Sequence, residues 1–189
     1  MNNILKVHQQ IYDAFQRSRA GPAHFFLSEN ADAYAGYYTA MYLIQDTGES
    51  ILTHMAKGFS QNPMSAYLEF WGVMQAIEIQ QDAIFQIHRS VVGEPPTIGL
   101  QSGWAQLRAT RHLCAGHPAN RTHGVAAPQR TFMGRNFGNY SQIRYELWDA
   151  TTGKTTHPVF DLRKMILDYD NEASVVLNNV ARTMNSKWP

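Results

Sequence analysis

The segment Leu107-Arg-Ala-Thr-Arg-His-Leu-Cys-Ala-Gly-His-Pro118 is the densest run of reactive side chains in the chain. Arg108, Arg111 and His112 stand at i, i+3 and i+4, so on a helix they share one face, opposite Leu107 and Cys114. A helix here should end at Gly116, because His117 precedes Pro118 and is biased away from helical geometry. His117 can then swing back over that helix end. A guanidinium and an imidazole converging in this way suit cleavage of an RNA phosphodiester. The arginine stabilises charge on the phosphoryl oxygens, and the histidine moves the 2′-hydroxyl proton near neutral pH. The plainer reading is a solvated basic helix end, whose cations complement the helix dipole.

Other chemistries fit less well. His112, Cys114, His117 and His123 offer four nitrogen and sulfur ligands within twelve residues. However, Cys114 falls on the opposite side of the helix from His112, and no Cys-x-x-Cys or His-Glu-x-x-His element is present, so no metal is expected. Thr152-Gly-Lys-Thr lacks the upstream glycine of a phosphate-binding loop, and no cofactor is implied. Cys114 occupies an apolar helix position, which favours a buried, inert thiol over a nucleophile. As the single cysteine it excludes an internal disulfide and fits a reducing cytoplasm.

The charge map points the same way. The whole chain balances 16 basic against 15 acidic residues, yet positions 95–145 contain no Asp or Glu. That segment holds Arg108, Arg111, Arg121, Arg130, Arg135 and Arg144, so it carries +6 while the remainder carries −5. Arginine's planar fork suits bidentate phosphate contacts, and such asymmetry suggests an anionic partner, most commonly nucleic acid. Arg108, Arg121 and Arg130 are the candidate substrate-binding cations. The alternative is that acidic and basic parts neutralise each other across the fold.

These residues need a frame, and 189 residues at 44% hydrophobic content supply one core. No apolar run reaches the ~20 residues of a membrane span, and the amphipathic Met1–Phe15 does not read as a signal peptide. A 3.6-residue period marks five helices. The first uses Ile4, Ile11, Ala14 and Phe15. The second follows the cap candidate Ser28 and stops at Gly58. The third opens after Asn62 with Pro63 in its first turn and runs to about Val92. The fourth starts near Ser102, and the fifth is capped by Asp161. The tyrosine-rich run Tyr34-Ala-Gly-Tyr-Tyr on the second helix matches core packing better than base stacking.

On the third helix, Gln75, Glu78, Asp82, Gln86 and Arg89 form a polar stripe that reads as solvated. Gln80 interrupts the apolar stripe between Ile77 and Ile84; a buried amide needs partners, so it is a candidate to orient the fourth helix or bridge subunits. Asp82 is a candidate to hold Arg111. Between the last two helices the period changes to two. Arg130–Met133 and Ile143–Trp148 alternate as strands about a turn at Asn136-Phe-Gly-Asn, and a turn at Thr152-Gly153 returns a third strand through Thr155–Val159. The expected fold is mainly α: one domain over 1–189, an antiparallel helical bundle with a small β-meander inserted at about 128–159.

Arg111-His112, four further residues and then His117 resemble the signature of the HEPN superfamily of helical-bundle proteins. That signature is an arginine, a polar neighbour and a histidine four to six residues after the arginine, at the end of a late helix. The resemblance implies a metal-independent endoribonuclease of the kind found in toxin–antitoxin, phage-defence and RNA-processing systems. It implies catalytic roles for Arg111 and His117, with His112 as the polar position between them. It also implies a homodimer in which two motifs face one cleft, and an antitoxin or other protein partner. Some members are non-catalytic binding modules, so the alternative is a HEPN-like interaction or scaffold protein. A third class is a small-molecule enzyme using the same polar pocket.

Overall fold

A computed structural model describes residues 1–17, 26, 30–120 and 128–187. Among these, five α-helices dominate: α1 (Asn2–Arg17), α2 (Ala31–Lys57), α3 (Pro63–Val92), α4 (Gly103–Arg111) and α5 (Leu162–Lys187). Their ends follow from side chains that satisfy otherwise orphaned backbone N–H groups. Asn62 Oδ1 accepts from Met64 and Ser65 N–H at 3.0 and 3.1 Å, ahead of a first turn that begins with Pro63. Ser102 Oγ accepts from Ala105 at 3.1 Å, and Asp161 Oδ1 from Lys164 at 2.8 Å. Gly93 ends α3 in the left-handed region at φ 103°. At α2 the cap is Asn30, which accepts from Ala33 N–H at 3.3 Å; Ser28 lies outside the described residues.

Helices adjacent in sequence run antiparallel. His8 meets Met41 while Phe15 stacks on Tyr37 across α1 and α2. His54 approaches Glu69 while Gly36 lies against Gln86 across α2 and α3. The last helix keeps this alternation, the fifth pointing the same way as the first. Asn3 bonds Asn171 and Arg17 bonds Asn185, so α5 lies beside α1 in the same direction. Buried Asp170 secures that pairing by accepting the N–H groups of Asn3 and Ile4 at 3.2 and 3.0 Å. Of the tyrosine run, Tyr37 is buried, whereas Tyr38 is exposed. The core is built from the facing apolar stripes, including Ile4, Ile44, Ile77, Ile84, Ile166 and Leu177.

The β insertion is more divided than one meander. It contains β1 (Gln129–Phe132), β2 (Gly138–Asn139), β3 (Gln142–Arg144), β4 (Glu146–Asp149), β5 (Lys154–Thr156) and β6 (Val159–Phe160). These form two antiparallel three-stranded sheets, ordered β1-β4-β5 and β2-β3-β6. The strand expected over Ile143–Trp148 breaks at Tyr145 because its halves have different partners. Ile143 pairs with Gly138 and Phe160, whereas Trp148 pairs with Arg130 and Thr155. The turn at Thr152-Gly153 is present, with Gly153 at φ 63° and Asp149 accepting from Thr151 and Thr152 N–H. The first reversal instead lies between Asn139 and Gln142. Gly138, at φ 114°, sits inside β2, where a Cβ would fall 1.9 Å from the Gln142 carbonyl oxygen. Tyr140 fastens the insertion to the bundle: its hydroxyl lies 2.7 Å from His54 Nδ1, and its ring stacks on Phe59 at 4.6 Å.

Candidate functional site

With nine residues, α4 is too short to hold itself in place, and only Gly103, Trp104 and Leu107 of it are buried. Its first turn donates the Gly103 and Trp104 N–H groups to the two oxygens of Glu172 at 2.9 and 3.0 Å. A carboxylate is well matched to the positive end of a helix. Trp104 packs edge-on between Phe85 and Tyr169 at 5.4 and 5.3 Å. Gln81, fully buried on α3, donates to the Trp104 carbonyl at 3.1 Å and accepts from Arg108 Nε at 3.2 Å.

Past Arg111 the helix widens. His112–Gly116 form a turn closed by the His117 N–H to the His112 carbonyl at 2.9 Å, an i→i+5 bond rather than the usual i→i+4. Such π-type turns recur at functional sites. The extra residue brings the His117 ring alongside His112, nearly parallel at 12° with centroids 6.1 Å apart. Strand β1 braces the turn: Thr131 Oγ1 donates to the Leu113 carbonyl at 2.5 Å, and Thr131 N–H to that of Pro118 at 2.8 Å. Cys114 points into the core, where burial pushes its thiol up to about 12.

Both arginines of the cluster lean on α3. Glu78 sits between them, its Oε1 3.5 Å from Arg108 Nη2 and its Oε2 3.8 Å from Arg111 Nε. Arg108 Nη2 also pairs with Asp82, and Arg111 Nη2 donates to Gln75 Oε1 at 2.9 Å. Arg111 curls over Gly116, where an added Cβ would stand 3.0 Å from Nη1. His117 is exposed. His112 is half-buried with a lowered pKa, chiefly through desolvation; Glu78 opposes the shift, while Arg111, Arg108 and His117 reinforce it. Its ring is therefore neutral at pH 7.

The structure brings Arg111, His112 and His117 onto one edge of the molecule, with Arg108 on the preceding turn of α4. Arg130 is exposed on β1, its guanidinium 4.7 Å above the Trp148 ring, next to the Thr131 that braces the turn. Arg121 and His123 lie outside the described residues. Two supporting assignments change. Asp82 pairs with Arg108, and the acidic partner of Arg111 is Glu78. Gln80 lies on the opposite side of α3, donating to the Ile44 carbonyl at 3.2 Å and to Thr47 Oγ1 at 3.1 Å. It therefore fastens α2, and Gln81 is the amide that orients α4.

The stripe of Gln75, Glu78 and Asp82 borders the site: Gln75 and Asp82 are exposed, as a solvated face requires, and Glu78 is half-buried between the two arginines. The signal of this stripe in the sequence is a matched spacing: acceptors at 75, 78 and 82 on one helix, cations at 108 and 111 on the next, antiparallel one. Among the described residues, no group of three His, Cys, Asp or Glu side chains is arranged to hold a metal ion. No helix among them is long and apolar enough to cross a membrane. No family model, curated protein or solved structure matches the chain.

Proposed function

We propose that this chain is a HEPN-like RNA-binding protein and a metal-independent endoribonuclease that uses the 2′-hydroxyl of its substrate as nucleophile. The observation that carries this reading is the wide turn after α4, which stacks His117 on His112 and lets Arg111 curl over Gly116 beside them. In the proposed reaction the 2′-oxygen attacks phosphorus as its proton passes to His117. The phosphorus–O5′ bond then breaks, and a proton returns to the 5′-oxygen from the imidazolium or through water. The products are a 2′,3′-cyclic phosphate and a 5′-hydroxyl.

Arg111 supplies the electrostatic part. Its Nε and Nη2 face Glu78 and Gln75, which leaves Nη1, lying over Gly116, to donate to a phosphoryl oxygen. Neutral His112 holds the His117 ring by stacking. Arg108, Arg121 and Arg130 act on flanking phosphates. The proposal extends to a cytoplasmic, two-fold homodimer that joins two motifs through α3 and α4, and to an antitoxin-type protein partner.

Arg111→Ala and His117→Ala test this directly. Each should abolish cleavage of single-stranded RNA in the presence of chelator; exposed His117→Ala should leave stability within ~1 kcal/mol of wild type, whereas Arg111→Ala should cost about 1.5–3 kcal/mol through its lost charged hydrogen bond to Gln75. His112→Asn should keep most activity. Loss of activity on chelation would overturn the reading. One observation favours the second reading, a non-catalytic HEPN-like interaction protein: Arg108 and Arg111 are already paired within the protomer. Wild-type protein that binds single-stranded RNA and leaves it intact would decide for that alternative.

A further inference from the structure

Beside the site, the N-terminal half of α3 and strand β1 enclose an apolar groove of about 580 Å³. Its walls include Leu68, Trp71 and Phe132, which are 66%, 39% and 62% exposed, large values for side chains of this kind. Tyr67 holds the Trp71 ring edge-on at 4.7 Å. Among the described residues, Arg135 is the one charged side chain lining the groove. Glu69, on the same half of α3, turns its carboxylate away to the Ser60 N–H at 2.6 Å and to Lys57 at 3.6 Å.

Both walls adjoin the cationic edge. Trp71 is one helical turn, about 6 Å along the axis, before the Gln75 that bonds Arg111. Phe132 follows Thr131, which bonds both Leu113 and Pro118 around the wide turn. A strand lying across this face meets flat apolar surfaces on one side and guanidinium groups on the other. Single-stranded nucleic acid carries that combination of ring faces and backbone charge.

Resting on the function proposed above, we propose that this groove seats unpaired bases of the RNA next to the scissile phosphate, stacked on Trp71 and Phe132, with Arg135 holding a backbone phosphate. The seat reads ring area rather than base edges, so it tolerates any sequence and rejects a duplex, whose bases are already stacked.

The test is a binding cycle with an uncleavable 2′-O-methyl single-stranded oligomer, taking full-length wild type, Trp71→Ala and Phe132→Ala against the intact oligomer and a series with one abasic position moved along it. Each substitution should weaken binding of the intact oligomer about 5- to 150-fold, the range for one lost base stack. For one abasic position the same substitution should cost almost nothing, since the ring it contacted is gone. Both side chains are exposed, and matching melting curves will verify folding. If wild type binds and the variants bind equally well, the groove assignment fails while the nuclease reading stands. If wild type binds no single strand, both fail. If Trp71→Ala converts a dimer to a monomer in light scattering without changing RNA affinity, the groove is a contact between copies and the inference is overturned.

Discussion

Adjacent glutamines on α3 should respond very differently to the same substitution. Gln81→Leu deletes a donor to the Trp104 carbonyl and the acceptor for Arg108 Nε, in a fully buried position. One neutral hydrogen bond contributes ~1 kcal/mol and one to a charged group ~1.5–3 kcal/mol, so the loss is about 3 kcal/mol. For a domain of this size that lowers Tm by about 6–12 °C. Gln80→Leu removes two neutral contacts to α2, but it also removes Oε1, a buried acceptor with no hydrogen-bond partner among the described residues. Those effects offset, and the expected cost is within ~1 kcal/mol, or about 2–4 °C. Thermal unfolding of the two variants, with urea titration to check that m is unchanged, measures the contrast. An equal cost for Gln80→Leu and Gln81→Leu would mean that the contacts of Gln81 to α4 add nothing beyond those of a neighbouring buried amide, against the expected contrast.

Glu78→Gln should lower the His112 pKa further, since Glu78 is what opposes the depression; proton NMR titration of the ring checks this, and an upward shift would contradict it. His8 and His112 both have pKa values depressed by burial below 6.5, so the unfolded chain binds protons that the folded chain refuses. Stability should therefore fall as pH drops from about 7 toward each folded pKa, and a Tm that rises on acidification over that window would count against the assignment. Cys114, with its thiol pushed up to about 12 by burial, should resist a disulfide-exchange reagent at pH 8 until the chain is unfolded in urea.

The frame was largely legible in the sequence because its punctuation is local. Asn62-Pro63, Gly93, Ser102 and Asp161 each act on backbone groups within one turn, so spacing alone locates them. What was not legible depends on packing between elements. An apolar period cannot say which of Gln80 and Gln81 meets which neighbour, since α3 packs against α2 on one side and α4 and α5 on the other. Alternation over Ile143–Trp148 is continuous, and only its two sets of partners divide it at Tyr145. The wide turn leaves no mark in composition: Leu113–Gly116 would suit an ordinary helix, and the brace from Thr131, eighteen residues away, accompanies the widening. Glu78 was visible as part of a polar stripe, but its role follows from two arginines on a neighbouring helix.

The most direct measurement is the chemistry of the cut ends. A single-stranded RNA should be incubated with the wild-type protein in chelator, beside the same oligomer carrying one 2′-deoxy nucleotide at the cleavage position. The first should give fragments ending in 2′,3′-cyclic phosphate and 5′-hydroxyl, and the second no cut at that position, because the nucleophile is missing. Cleavage of the deoxy-substituted strand at the same bond, or fragments bearing a 5′-phosphate, would contradict it.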